Sequence, residues 1–544
     1  MPASSPSGTA HCRLIDRKGN FMNPNVPFRN LYSNDTTNLE TCISPWHPRG
    51  GYTGREELRA SVREVAGFAD AHLIQLAHGQ VPWYKSRIYP FEEHLRWWSE
   101  YFDVPYEQFS QLSGGHQYMY DGGDYLADFI EACRDYGQAA FVSLRLNDEH
   151  HVENIDRKGH MNGIHSISRF LVEHRHMMFG TDLTRWENRS LNWIYPEVPA
   201  HMLSLITEQC ESYDIDGFEL DFMRHPHFFD TEKTTLKERC AVIEPFIATV
   251  RAVLDRTARD GQYRYLSVRV PSVLSMWGEL GLVPERLAEL GVDIVNVSSS
   301  FYCDQWVDRE TFVRRMPTLA VYFEICHCTA QGTVLLPSAY DAFTFRRVTP
   351  AEMYSTAHLA FCAGAQGVSF FNFQYYREHG CEGRGPFNEP PFHVVGKVRD
   401  PAFVAHAPQH FFLARGWNKN TQLERRLAAD REHTLEMYVE VGERPCTDGF
   451  RLRLTARTPM EDRVFAVSVN GVRADPVADI SEPYAEDNEY PPLHGTEANC
   501  RAWRVPREAV QNGKNIITLS WHGSADCDPI VLDYVDMFPC PAAD

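Results

Sequence analysis

Eight β-type runs alternate with amphipathic helical stretches between about residues 28 and 376, and this alternation limits the fold more than any other feature. It is typical of parallel strands joined by helical crossovers. Eight such units predict an α/β fold, a closed (β/α)8 TIM-type barrel with long loops. An open doubly wound sheet is the alternative, but the glycine-rich phosphate loop that would favour it is missing after the first strand. The predicted strands are Arg29–Asn34, His72–Leu76, Ala139–Leu146, Gly217–Phe222, Tyr265–Val270, Val292–Val297, Leu319–Ile325 and Gly367–Phe373.

A different pattern follows Asp400-Pro401, where short β-rich runs alternate with Asp, Pro, Gly and Asn. It predicts a smaller β-sandwich, with a hairpin turn at Asn470-Gly471. We therefore divide the chain into an N-terminal extension (1–27), a catalytic barrel (28–416) and a β-sandwich-like C-terminal domain (417–544). The last of these is expected to pack on the barrel or to mediate self-association as a homodimer.

Composition narrows the classes of function. The 53 basic and 73 acidic residues give a formal net charge of −20, and no basic cluster is longer than a short arginine pair, so we expect no nucleic-acid partner. No run approaches ~18 apolar residues, which predicts no membrane span. Residues 1–20 lack the apolar core of a signal peptide, and the 14 cysteines include no CxxC pair. We expect a cytoplasmic protein with reduced thiols and no cofactor.

The fourth predicted strand carries the sharpest chemical signal, in the segment Asp214–Pro226. Its apolar residues alternate with Glu219 and Asp221, so both carboxylates are expected to point into the barrel. Barrel arginines, Arg145 and Arg269, could simply neutralise them. Residues two apart on a strand have Cα atoms roughly 6.6 Å apart on one side, whereas glycoside cleavage needs groups that flank the sugar. A catalytic partner is therefore expected from across the barrel.

The ends of the other strands supply candidates, because barrel active sites form where strands end and βα loops begin. The first strand offers a carboxylate that could hold water, and the third offers a histidine suited to proton transfer. Adjacent histidines diverge and no HExxH motif is present, so we expect no metal site. The second and eighth strands offer groups that could bind or stack on a sugar. The substrate-binding candidates are Asn34, His78, Trp83, Lys85, Arg145, Asn147, His151, Glu219, Asp221, Arg224, Asn372, Gln374 and Tyr375.

The order of Asp35, Arg145, His150, Arg224 after the DGxELD strand, and Asn372 resembles glycoside hydrolase family 156. That family comprises exo-sialidases with a (β/α)8 barrel and a β-rich C-terminal region. The resemblance covers most of residues 28–376 in layout but few positions individually. It implies inverting release of terminal sialic acid: Asp35 would activate water and His150 would assist departure of the aglycone. The arginines and Asn372 would hold the sugar, and His151 competes with His150 for its role.

Other functions stay open at this point. One is an exo-glycosidase for a uronic or neutral sugar, with Glu219 as the acid and Asp35 or Glu324 opposite it. Another is a metal-dependent sugar isomerase or lyase, built on His150, His151, Glu219 and Asp221. The last is a carbohydrate-binding barrel without catalysis. All of them share a glycan or sugar as partner, and sialoside hydrolysis is the hypothesis that the resemblance favours.

Overall fold

The computed structural model confirms the predicted fold class. It describes the backbone of residues 14–15, 21–22, 25–41, 44–46, 51–78, 81–111, 114–160, 167–300, 302–330, 345–376, 389–416, 422–442, 449–460, 463–484, 496–523 and 528–540. Within these ranges, eight parallel strands close into a barrel in chain order, with the last strand pairing with the first. The strands are β1 (Asn30–Asp35), β2 (Ala71–Gln75), β3 (Ala139–Arg145), β4 (Gly217–Asp221), β5 (Tyr265–Pro271), β6 (Ile294–Ser298), β7 (Ala320–Ile325) and β8 (Gly367–Phe371).

All eight predicted strands are present, with ends that differ by one or two residues. Their apolar side chains are almost fully buried, because parallel barrel strands are covered by helices on one face and by the barrel interior on the other. Phe218 and Leu220 on β4 are both 0% exposed and face the helices. Their neighbours Glu219 and Asp221 are equally buried on the inner face, as the alternation predicted.

Helices surround the barrel. One of them is Leu236–Thr257, where Thr235 and Glu238 form a capping box. Another, Phe91–Phe102, begins after Pro90 without a side-chain cap, so the sequence has no start signal for it. The helices are α1 (Thr36–Thr41), α2 (Arg55–Glu64), α3 (Phe91–Phe102), α4 (Gly114–Tyr120), α5 (Tyr125–Asp135), α6 (Arg169–Glu173), α7 (Glu197–Ser212), α8 (Leu236–Thr257), α9 (Leu274–Trp277), α10 (Arg309–Arg315), α11 (Pro350–Cys362), α12 (Phe392–Lys397) and α13 (Pro401–His406).

The C-terminal region forms two antiparallel sheets around a separate apolar core. Asn470 and Gly471, with φ of 50° and 80°, turn the predicted hairpin. The described strands are β9 (Phe411–Ala414), β10 (Arg425–Leu427), β11 (His433–Val439), β12 (Phe450–Ala456), β13 (Phe465–Val469), β14 (Val472–Arg473), β15 (Asp475–Val477), β16 (Cys500–Val505), β17 (Gly513–Trp521) and β18 (Ile530–Pro539).

The C-terminal sheets pack directly on the barrel. Strand β9 pairs with β18, so the sheets include residues that precede the boundary predicted at 416. The Tyr534 hydroxyl on β18 donates a 2.6 Å hydrogen bond to Glu352 on α11. This contact fixes the C-terminal module against the helix between β7 and β8. None of the helices in the described ranges combines the length and apolar character needed to cross a bilayer.

Candidate active site

The barrel interior contains two polar layers. In the lower layer, Ser143 and Ser267 flank Glu219 and donate hydrogen bonds of 2.9 and 3.1 Å to its two carboxylate oxygens. Burial, together with the nearby Asp221, raises the pKa of Glu219 to about 7. Because Glu219 is 0% exposed, its carboxyl group is enclosed by barrel residues and has no surface facing the mouth.

The upper layer sits two residues further along the same strands, where Arg145, Asp221 and Arg269 stand side by side. Arg269 donates a hydrogen bond to Asp221 at 3.0 Å. Two of its nitrogens also donate to the two carboxylate oxygens of Glu324, at 2.8 and 2.9 Å. The expected neutralisation of Asp221 by a barrel arginine is therefore present, through Arg269. Arg145 instead reaches across to β1.

Five side chains at the carboxyl ends of β1, β3 and β4 touch one another in series. We call Asp35, Arg145, Asp148, His150 and Arg224 the mouth cluster. Arg145 lies 2.5 Å from Asp35 and 3.5 Å from Asp148. Asp148 contacts Nδ1 of His150, and Nε2 of the same ring lies 2.6 Å from the Arg224 guanidinium. Arg145 thus lies between two carboxylates, and the His150 ring lies between Asp148 and Arg224.

Asp35 is held from several sides. Its Oδ1 accepts hydrogen bonds from the amide and hydroxyl of Thr37 at 3.0 and 2.8 Å. Its own amide donates to Oδ1 of Asn372 at 3.0 Å, which joins β1 to the loop after β8. The carboxylate is therefore pre-oriented, with 11% of the side chain still exposed.

The Arg224 guanidinium forms no ion pair with a carboxylate of the described residues. Asp221, three residues earlier in the chain, accepts a hydrogen bond from the Arg224 backbone amide rather than from the guanidinium. No carboxylate among the described residues forms an ion pair with this guanidinium, and its Nε has no hydrogen-bond partner there. Burial and the nearby Arg145 lower the pKa of Arg224. Even partly buried, a charge left in this state is costly unless a ligand completes it.

His150 is the better placed of the two adjacent histidines. Burial, with a further contribution from Arg224, lowers the pKa of His150, while Asp148 opposes the shift. The ring is therefore neutral near pH 7 and accepts the Arg224 hydrogen bond at Nε2. His151 adopts a left-handed backbone with φ of 61°.

Left-handed backbones recur at this end of the barrel. His151, His225, Ser300 and Asn372, which follow β3, β4, β6 and β8, all have φ between 50° and 65°. Residues other than glycine rarely adopt this region, and outside ordinary turns they tend to cluster at functional sites. Their recurrence marks the carboxyl end of the barrel as the candidate site.

One group of side chains in the described ranges could hold a metal ion. The ligand atoms of Asp148, His150 and His225 lie within 4.8 Å of one another. This set differs from the metal ligands weighed from the sequence, because it includes His225 and neither Glu219 nor Asp221. Nδ1 of His225 already accepts the Glu149 amide at 3.0 Å, and the Arg224 charge beside His150 opposes cation binding.

Several predicted binding residues have other surroundings. Trp83 is 3% exposed and packs on His116 and Tyr125, so its burial does not fit the predicted stacking on a sugar. The Asn147 side chain bonds to the backbone of Leu191 and His227, which does not fit direct binding of substrate.

Asn34 and Gln374 also face protein partners. Nδ2 of Asn34 donates to Gln374 at 3.2 Å, and Gln374 donates in turn to Glu64 at 3.1 Å. Lys85 is exposed. The side chains of His78 and Tyr375 lie outside the described part of the structure.

Sequence reasoning missed three residues at the mouth. Asp148 is not among the predicted site residues, although it lies two residues before His150. Trp186 and His225 stack at 5.3 Å with a 25° interplanar angle. The signal for His225 was its position directly after Arg224, whereas nothing local to Trp186 indicates its place near β3 and β4.

Comparisons with known proteins give distant structural similarities. No protein-family model and no curated protein matches the chain. The PgaB (BpsB) glycoside hydrolase domain from Bordetella bronchiseptica aligns over 69% of this chain and 99% of its own, with 11% identity and a TM-score of 0.38. Alpha-L-fucosidase isoenzyme 2 from Paenibacillus thiaminolyticus aligns over 69% and 49%, with 12% identity and 0.39. A beta-hexosaminidase from Streptomyces plicatus aligns over 69% and 64%, with 10% and 0.36. The site is therefore interpreted from its own geometry.

Proposed function

We propose that this protein is an exo-acting glycoside hydrolase that releases terminal sialic acid with inversion. The observation that carries the proposal is Arg224, a partly buried guanidinium without a carboxylate in ion-pair contact among the described residues. Sialic acid bears a carboxylate on its reacting carbon, and a guanidinium binds a carboxylate through planar paired hydrogen bonds. In a chain of net charge −20, such a cation would favour the binding of an anionic sugar.

Binding of that carboxylate would also prepare His150. The substrate carboxylate competes for the Arg224 N–H groups that now point at Nε2 of the imidazole. It also brings a negative charge that favours the protonated ring. His150 would then donate its proton to the glycosidic oxygen as the bond between that oxygen and the anomeric carbon breaks. Asp148 contacts the other ring nitrogen and would stabilise the charged imidazole before the transfer.

Asp35 would activate the attacking water. It would accept a proton from water as the water oxygen bonds to the anomeric carbon, which gives a single displacement with inversion. Thr37 and Arg145 already orient this carboxylate. One proton goes to Asp35 and one leaves His150, so the hydrolysis is balanced.

The test is release of free sialic acid from an aryl α-sialoside, with the anomer of the first product followed by NMR. We expect Asp35→Asn and His150→Gln each to lower kcat by about 10²–10⁴-fold. Arg224→Met should mainly raise KM, while Arg426→Met, at an exposed position on β10, should match the wild type. Full activity of both the Asp35 and His150 variants, or turnover of uronate but not sialic acid glycosides, contradicts the proposal.

A metal-dependent reaction is the second candidate, and only the Asp148, His150 and His225 group favours it. It requires a tightly bound ion and activity that disappears with a chelator. Elemental analysis of the purified protein together with assay in EDTA separates the two functions, because the proposed hydrolysis proceeds through side chains alone.

A further inference from the structure

An exposed indole stands beside the mouth cluster. Trp186 lies at the tip of an excursion between β3 and α7, where Met178 and Leu191 form an antiparallel bridge. The amide of Phe179 also donates to the Ser190 carbonyl at 3.2 Å. We call residues 178–191 the Trp186 hairpin. It bends over the carboxyl end of the barrel and brings Trp186 next to His150 and His225.

The contacts of Trp186 place it at the reacting end of the site. Its ring centroid is 6.4 Å from that of His150, and the two rings are nearly perpendicular at 86°. His225 stacks beneath it at 5.3 Å. Even so, 51% of the residue is exposed. Large aromatic side chains usually bury most of their surface, and one left open beside charged groups is typical of a ligand site.

The indole is also held in place before any ligand arrives. The Arg189 guanidinium lies 4.1 Å from its ring centroid and is itself fixed by the Leu183 and Thr184 carbonyls at 2.8 and 3.2 Å. Asn147 ties the end of the hairpin to the barrel through Leu191. A pre-ordered platform of this kind loses little conformational entropy on binding.

We propose that Trp186 forms the subsite for the leaving sugar, by stacking against the apolar C–H face of a neutral hexopyranose. The proposal rests on the sialidase function proposed above, because it assigns the two halves of the substrate to different residues. The carboxylate of sialic acid lies on Arg224, and the sugar that departs lies on Trp186. His150 contacts Arg224 and neighbours Trp186, so it can deliver its proton to the glycosidic oxygen between the two sugars.

Binding tests the subsite without turnover. Saturation-transfer NMR with lactose, a free leaving sugar, should give a signal with the wild type that is lost in Trp186→Ala and largely kept in Trp186→Phe. Sialic acid should bind all three equally. Tyr120→Ala, which removes an aromatic ring that is 44% exposed on α4, should behave as the wild type. Thermal unfolding of each variant confirms that it is folded.

Turnover gives the second measurement. On sialyl-lactose, Trp186→Ala should lower kcat/KM roughly tenfold, while on sialyl fluoride, whose leaving group has no ring to stack, it should match the wild type. Equal loss on both substrates, or lactose binding that is absent from the wild type or unchanged by Trp186→Ala, overturns the subsite. A wild type that releases no sialic acid from either substrate overturns the proposed function instead, and lactose binding still decides the role of Trp186.

Discussion

Asp148 and Arg224 act in opposite directions on the pKa of His150, the first raising it and the second lowering it. Burial is the largest influence and places this pKa below its ordinary value of 6.5. If His150 must be protonated to act, kcat/KM should fall as pH rises through the pKa of the free enzyme. We therefore expect activity to be highest in mildly acidic solution, with the alkaline fall of kcat/KM below pH 6.5.

The variants separate the two influences. Asp148→Asn should move the alkaline fall of kcat/KM to lower pH, and Arg224→Met should move it to higher pH while also lowering the maximum. The measurement is the pH profile of kcat/KM for each variant beside Arg426→Met. A fall that keeps its position in both variants would mean that another group controls the profile.

The sequence indicated some of these residues better than others. Asp35, Arg145 and Arg224 follow from counting strand ends, because every parallel strand of a barrel delivers its last residues to one face. The contact of Arg224 with His150 depends on two separate loops, and the burial of Trp83 depends on the packing of α4 and α5. Neither has a local pattern that could predict it.

Asn147 shows how an element can depend on a single side chain. Its amide nitrogen donates to the carbonyls of Leu191 and His227 at 3.0 and 2.6 Å, and its oxygen accepts from the Leu191 amide at 3.1 Å. Asn147→Ala leaves these buried backbone groups without partners. The free energy of unfolding should fall by about 2–3 kcal/mol, as measured by urea denaturation.

The same variant should also loosen the Trp186 hairpin, so that hydrogen exchange speeds up at residues 178–191 more than in α8. Asn147→Asp is the matched comparison: it keeps the acceptor but replaces both donors with an anion, and it should be at least as unstable as Asn147→Ala. Unchanged stability in both variants would remove Asn147 from this role.

At the scale of elements, strands that alternate or form apolar runs were predictable, and irregular ones were not. Strand β18 has ten residues, of which eight are buried and seven of these are consecutive. It is buried because it lies between β9 and β12 and also meets the barrel. Asp533 and Asp536 interrupt its apolar residues, which hides the strand from any pattern of period two. Only the partners of these acids explain their presence.

Those partners join the two halves of the molecule. The Asp536 carboxylate lies 2.5 Å from the Arg453 guanidinium and 2.7 Å from the His410 ring. His410 in turn lies 3.6 Å from Glu352 on the barrel helix α11. Although burial opposes it, Arg453 and His410 hold the pKa of Asp536 far below its usual range. An unfolded aspartate titrates near ~3.9, so this ion pair stabilises the fold above that pH and loses its contribution as pH falls below it.

Asp536→Asn should therefore destabilise the whole protein at neutral pH, by about 3–5 kcal/mol, because it leaves the Arg453 guanidinium buried without its counter-charge. Since the network spans the barrel and the C-terminal sheets, calorimetry should show either a lower single transition or two separate ones. The difference from the wild type should stay constant from pH 7 to about pH 4 and shrink only as the solution is taken below that pH. Arg451→Met removes a partly exposed arginine on β12, the strand that also carries Arg453. It should change the transition little. A loss of stability that is equal at every pH would assign the effect to packing rather than to the charge of Asp536.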